Sequence, residues 1–191
     1  MYFIIHKSYI SDKHISFLGC GGRFIANNLT ISLGVVFSRQ QSLAVYNLTM
    51  KTFHYSVPID VRYGDLDPQW HVNNARYLTF LEHARLSYLL HLGLFDGKNF
   101  LDFNLIVADI HIAYLAPIQL GQKVAVHIRC ERIGNKSLTF VYEIRDEDTR
   151  QVLSSAETIM VTFDYHQQQS IPVPDAWRQA ISALEGVAFL K

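Results

Sequence analysis

One long helical pattern followed by four runs of alternating residues constrains this chain more than any other feature. Over 74–92, Tyr77, Leu81, Ala84, Tyr88 and Leu92 recur at helical spacing, and Leu78, Phe80, Leu86 and Leu89 widen the stripe. A helix with so broad an apolar arc must be covered on most sides. Asn73 stands at its start as an N-cap and Gly93 at its end as a stop. The cover comes from downstream, where 106–114, 123–131, 138–145 and 152–165 alternate apolar with polar side chains as strands do. Gly134-Asn135 marks a hairpin between the second and third of these runs. Upstream, 52–62 forms a further strand with Phe53, Tyr55, Val57, Ile59 and Val61 on one face, and Pro58 places it at an edge or a bulge. The order strand, long helix, four strands predicts an α+β fold: a five-stranded antiparallel sheet wrapped round one central helix.

Composition narrows the function classes. Lys+Arg and Asp+Glu balance at 17 each, so no basic footprint argues for nucleic acid. No apolar run approaches the roughly 18 residues of a membrane span. The opening MYFIIHKSYISDKH lacks the basic n-region of a signal peptide. Cys20 and Cys130 make no metal-binding spacing and are expected to be reduced thiols, in keeping with a cytoplasmic protein. The histidines show no ligand spacing either, so no metal is expected.

Residues 1–49 show no sustained period and are broken by Gly21-Gly22 and Asn27-Asn28. They read as an N-terminal extension outside the core fold, with Met50 as an alternative translation start. Residues 50–166 make the core domain. Residues 167–191 make a linker, including the Gln167–Gln169 run, and a last helix over 175–184 that Asp175 caps.

The stretch RYGDLDPQWHVNNARYLTFLEHAR, from Arg62 to Arg85, concentrates the chemistry. Two carboxylates, Asp65 and Asp67, a histidine, His71, and two asparagines, Asn73 and Asn74, fall just before the helix. Helix N-termini carry partial positive charge and unpaired N–H groups. The stretch resembles the R-x-x-D-x-D-x-x-G-H-V-N-N-x-x-Y motif of hotdog-fold acyl-CoA thioesterases of the 4-hydroxybenzoyl-CoA thioesterase type. ADIHIAYLAPIQLGQ, further on, resembles the same family's second strand and its Tyr-x-x-Pro exit.

The resemblance implies hydrolysis of an acyl-CoA thioester, with coenzyme A entering only as part of the substrate and no prosthetic group. It implies a homodimer or homotetramer, with the site formed between protomers. It assigns Asp67 as the catalytic carboxylate, acting as nucleophile or as general base on water. It puts the oxyanion donor at a backbone N–H near Asn74. His71 would orient the acyl group or share a proton with Asp67. Asp65, Trp70, Asn73, Tyr77 and Glu82 complete the candidate set on the substrate side.

Each of these residues also has a plainer reading. Asp67-Pro68 makes a turn, Asp65 accepts loop N–H groups, Asn73 caps the helix, and Tyr77 belongs to the core stripe. Glu82 pairs with Arg85 three residues on. Trp70 stands where the family has glycine, so the loop differs there or the indole walls the acyl pocket. Arg132 and Lys136, near a strand turn, are candidate cations for coenzyme A. Two other functions share the fold: an acyl-thioester hydratase or dehydratase, whose D-x-N-x-x-H motif is missing here, and a non-catalytic acyl-thioester binder.

Overall fold

The computed structural model describes residues 52–189. The expectations for residues 1–49, for a start at Met50 and for Cys20 lie outside the described residues.

Strands β1 (Tyr55–Ile59), β2 (Leu105–Tyr114), β3 (Val124–Ile133), β4 (Ser137–Asp146) and β5 (Val152–Asp164) form one antiparallel sheet in the order β1-β3-β4-β5-β2. Helix α1 (Asn74–His91) packs against β1 and β3, which gives the hotdog fold. Tyr77, Phe80, Leu81, Ala84, Tyr88 and Leu89 bury the stripe read from the sequence. They meet Val126, Ile128, Phe140, Tyr142 and Ile144 in one continuous core. Full burial of each large apolar side chain contributes about 1.5–3 kcal/mol before entropy is counted. Asn73 caps α1 by accepting a hydrogen bond from Ala75 N at 2.9 Å, and Gly93 follows it at φ +66°.

β1 is shorter than its pattern. The ladder stops at Ile59, and a 3-10 turn at Tyr63–Asp65 redirects the chain, although the side chain of Val61 stays buried. Pro58 lies in this edge strand, where its missing N–H costs least. The sheet also has a sixth strand beyond the expected five. Gln169–Ser170 form β6 against the end of β5, so Gln167 and Gln168 are a tight return rather than a linker. The Asp164 carboxylate holds that return by accepting from His166 N and Gln167 N.

Helix α2 (Asp175–Glu185) packs on β3 with Trp177 and Ile181 buried. Its cap differs from expectation: Pro174 occupies the N-cap and Asp175 is the first helical residue, where an acidic side chain suits the helix dipole. At its C-terminal end Glu185 reaches into the core. It accepts a hydrogen bond from Tyr88 OH at 2.6 Å and from Cys130 N at 2.9 Å. Burial, and then Glu185 itself, push the Tyr88 hydroxyl well above its ordinary range, so it remains a proton donor. Burial likewise raises the Cys130 thiol, which is inert where it lies.

Candidate active site

The motif loop is a small hairpin folded against the exit of β2. Leu66 bridges Val72, and His71 bridges Gln119. Val72 N donates to Ile118 O at 2.8 Å, which ties the loop to the segment after β2. Asp67 N donates to His71 O and Trp70 N to Asp67 O, which closes a turn over Pro68 and Gln69. Trp70 takes φ +64°, the left-handed conformation that the family's glycine would adopt freely. It is 69% exposed and lines, with Tyr63 and Pro68, a second surface hollow that shares only Asp67 with the cavity described next. The loop therefore keeps a glycine-like turn, and the indole does not line the cavity described next.

Asp67, His71, Asn74 and Tyr77 line one cavity of about 410 Å³. Its other walls are Gln69, Val72 and the run Tyr114, Leu115, Ala116 and Pro117. The Asp67 carboxylate is oriented from both sides. Oδ1 accepts from Gln69 N at 2.9 Å, and Oδ2 lies 3.4 Å from His71 Nδ1. Tyr77 packs edge-on against Tyr114, and burial raises the pKa of its hydroxyl above the ordinary value. Tyr114 OH donates to Asn74 O at 3.3 Å.

The first turn of α1 distributes its amides unevenly. Asn73 N donates to Asp65 O, Ala75 N to the Asn73 side chain and Arg76 N to Asn73 O. Asn74 N–H is the amide of this turn left without a hydrogen-bond partner among the described residues, and Asn74 borders the cavity. An unpaired amide at a helix N-terminus is a ready donor to an oxyanion.

The remaining candidates lie elsewhere. Asn73 is occupied as the cap. Asp65 is 2% exposed and is not among the residues lining the cavity. It accepts from Arg62 N at 3.0 Å and from the Arg62 side chain, with Arg76 Nε 3.7 Å away. Burial by itself would raise the Asp65 pKa, but the hydrogen bonds from Arg62 and the nearby charges outweigh it and hold the carboxyl below the usual range. Its folded-state pKa thus lies below the unfolded value of about 3.9. The stability it contributes is present above that value and is lost as pH falls through the folded pKa. Urea midpoints measured between about pH 2 and pH 6 should fall more steeply in wild type than in Asp65→Asn. Parallel profiles would remove Asp65 as the acid-sensitive clasp of the loop.

Glu82 and Arg85 do not form the expected ion pair. Arg85 turns inward and donates to Tyr142 OH at 3.1 Å, while Glu82 stays exposed on the solvent side of the helix. Arg132 and Lys136 lie at the far end of the sheet from this cavity. Ser137 pairs with Val161, whereas Tyr114 pairs with Ser154, about 23 Å away along β5 at strand rise. Lys136 Nζ is also engaged by Ser170. The walls missed by sequence reasoning are Gln69, Val72 and the Tyr114–Pro117 run. The Tyr-x-x-Pro match contained a signal for the run, but nothing local placed it opposite the helix.

Among the described residues, no group of three His, Cys, Asp or Glu side chains could hold a metal ion. No helix there is long and apolar enough to cross a membrane.

Several known proteins are similar to this chain in sequence or fold. The long-chain acyl-CoA thioesterase FadM of Escherichia coli K12 is 29% identical over 126 residues, which span 66% of this chain and 96% of that protein. The 1,4-dihydroxy-2-naphthoyl-CoA hydrolase of Synechocystis is 27% identical over 138 residues, 71% of this chain and 99% of that one. A crystal structure of a thioesterase from Thermus thermophilus, complexed with coenzyme A and Zn, superposes with a TM-score of 0.62 at 32% identity. It covers 70% of this chain and 96% of its own. The pattern of the thioesterase-like superfamily matches residues 61–181, helix, sheet and motif loop together, and the chain belongs to that superfamily.

Proposed function

We propose that this protein is an acyl-CoA thioesterase of the 4-hydroxybenzoyl-CoA thioesterase type, with Asp67 as its catalytic carboxylate. The observation that carries this reading is the meeting of an oriented carboxylate with an unpartnered helix N-terminal amide on one cavity. The relatives named above, which are thioesterases or hydrolases of acyl-CoA, support the substrate class.

In this mechanism the thioester oxygen accepts from Asn74 N–H at the positive end of α1. Asp67 either adds to the thioester carbon or removes a proton from the water that does. On the water route the carbon–sulfur bond then breaks and the coenzyme A thiolate takes the proton that Asp67 removed. On the nucleophilic route the thiolate leaves first. Water then hydrolyses the acyl–Asp67 anhydride to the free acid and the restored carboxylate, its proton going to the thiolate. His71, against Asp67 Oδ2, holds the carboxylate in place and can pass that proton. Tyr77, Tyr114 and Pro117 wall the acyl side. Neither a metal nor a prosthetic group takes part in this proposal, and a cytoplasmic setting belongs to the same reading.

Thiol release from a panel of short, long and aromatic acyl-CoAs tests it. Turnover of at least one class is expected. A folded protein that releases no thiol would favour a non-catalytic binder, and hydration of an enoyl-CoA would favour the hydratase class.

The same reading includes self-association through β2. Among the described residues this strand pairs only with β5, and none pairs with its other edge. Ile106, Val107, Ile110 and Tyr114 are exposed along it. A long apolar edge strand is a template for a second chain. Light scattering is expected to give a dimer, or a tetramer built from such dimers, and Ile110→Asp to give a monomer. A monomeric wild type would refute this part.

A further inference from the structure

Two surface cavities meet at Asp67 and share no other lining residue. The first is the helix-side cavity described above. The second, of about 470 Å³, is lined by Tyr63, Gly64, Leu66, Asp67, Pro68 and Trp70. It falls within the range of about 300–1,000 Å³ typical of small-molecule sites. No lysine, arginine or histidine lines it. A thioester whose carbon stands at Asp67 has two substituents, the acyl group and the thiol arm, and two cavities to receive them.

Trp70 is an unexpected residue in this place. It holds φ +64°, where glycine fits without cost and a bulky side chain does not. Asn104, Arg150 and Gln168 share that backbone region, but none of them is aromatic, and Trp70 is the one that borders a cavity with Asp67. Tyr63 and Trp70 are also the two most exposed large hydrophobic side chains among the described residues, at 73% and 69%. Each carries an apolar body with one polar tip, which suits a ligand of mixed character. Two such rings on one hollow, one of them on strained backbone, cost the isolated chain free energy. Cover by a ligand offsets that cost.

We propose that Trp70 and Tyr63 grip the pantetheine arm of the thioester substrate, with Trp70 as a substrate-binding residue for which the motif's glycine offers no counterpart. This rests on the thioesterase reading above, in which Tyr77, Tyr114 and Pro117 take the acyl group. The arm leads away from sulfur through two amides joined by short methylene spacers. Its methylenes and amide faces suit the aromatic rings, Leu66 and Pro68, and the indole N–H and phenol O–H are donors for its carbonyls. Trp70 N donates to Asp67 O at 3.0 Å, so indole and carboxylate belong to one turn and the reach is short. That selects the part of the arm next to sulfur. The phosphates of coenzyme A do not belong there, since the hollow offers no cation and Asp67 repels them.

Initial rates of the full chain with the acyl-CoA it turns over best, and with the pantetheine thioester of the same acid, test it. Trp70→Asn introduces a residue that tolerates φ +64°. It should raise KM about tenfold for both thioesters with kcat little changed, as when contacts common to ground and transition state are lost. Tyr63→Ala should shift KM in the same direction. An unchanged KM overturns the proposal. So does a rise confined to the coenzyme A ester, which would put the nucleotide on Trp70, or a fall in kcat alone, which would mean that the turn merely holds Asp67. Should Trp70→Asn not fold, an unchanged KM in Tyr63→Ala overturns it equally. A wild type that releases no thiol ends the thioesterase reading but not this test. Calorimetric titration with pantetheine and with coenzyme A then reads the same contrast. Trp70→Asn should weaken both about tenfold, and equal affinities, or no binding by wild type, overturn the proposal.

Discussion

Asp67→Asn is expected to lower thiol release from the best acyl-CoA substrate by a hundredfold or more, equivalent to about 3 kcal/mol of barrier. The substitution nearly preserves shape. The amide oxygen can still accept from Gln69 N, so the turn over Pro68 should persist. What is lost is the negative charge beside His71 and the lone pair that attacks carbon or takes the proton from water. Circular dichroism and urea midpoints close to wild type would show that the fold survives. A loss mainly in kcat, with KM little changed, would fit a group that acts on the reacting atoms. Equal turnover by the two proteins would rule out Asp67 as the catalytic carboxylate and direct attention to Glu82, the carboxylate on the helix.

Glu185→Ala should destabilise the fold by about 3 kcal/mol, the range expected when buried polar partners are left unsatisfied. Glu185 arrives from α2 yet bonds to α1 through Tyr88 and to β3 through Cys130 N. The β3–β4 register shifts between Cys130 and Arg132, and β1 begins only at Tyr55, opposite Ile128, so it does not reach Cys130. Cys130 N–H therefore sits where the regular ladder falters, and a side chain takes over the accepting role. Alanine would orphan both donors in the core, while glutamine, which keeps an acceptor oxygen, should cost less. Urea unfolding of the two variants against wild type checks this. A loss below about 1 kcal/mol for alanine would mean that the C-terminal helix is not anchored by this residue.

These two residues differ in how far local sequence reveals them. Asp67 lies in a dense motif beside a well-marked helix start, so a reader of the chain can find it. Glu185 follows an ordinary amphipathic pattern, and nothing within ten residues predicts its contact with Tyr88, 97 positions away. Trp70 shows the intermediate case. The glycine position is apparent from the motif, but that tryptophan could hold φ +64° with its ring outside the cavity depends on the turn being pinned by Val72 to Ile118.

The sequence by itself determined the α+β class, the central helix with its Asn73 cap and buried stripe, the long strands after it, and the crowding of acid, imidazole and amide groups at the helix start. Those features follow from periodicity and capping, which act over a few residues. Tertiary structure alone decided that β2 lies at the other edge of the described sheet, that Tyr114–Pro117 face the helix N-terminus, and that Arg85 turns inward to Tyr142 instead of outward to Glu82. These outcomes rest on pairings between residues far apart in the chain, whose free energy comes from burial and register and leaves no trace in local pattern.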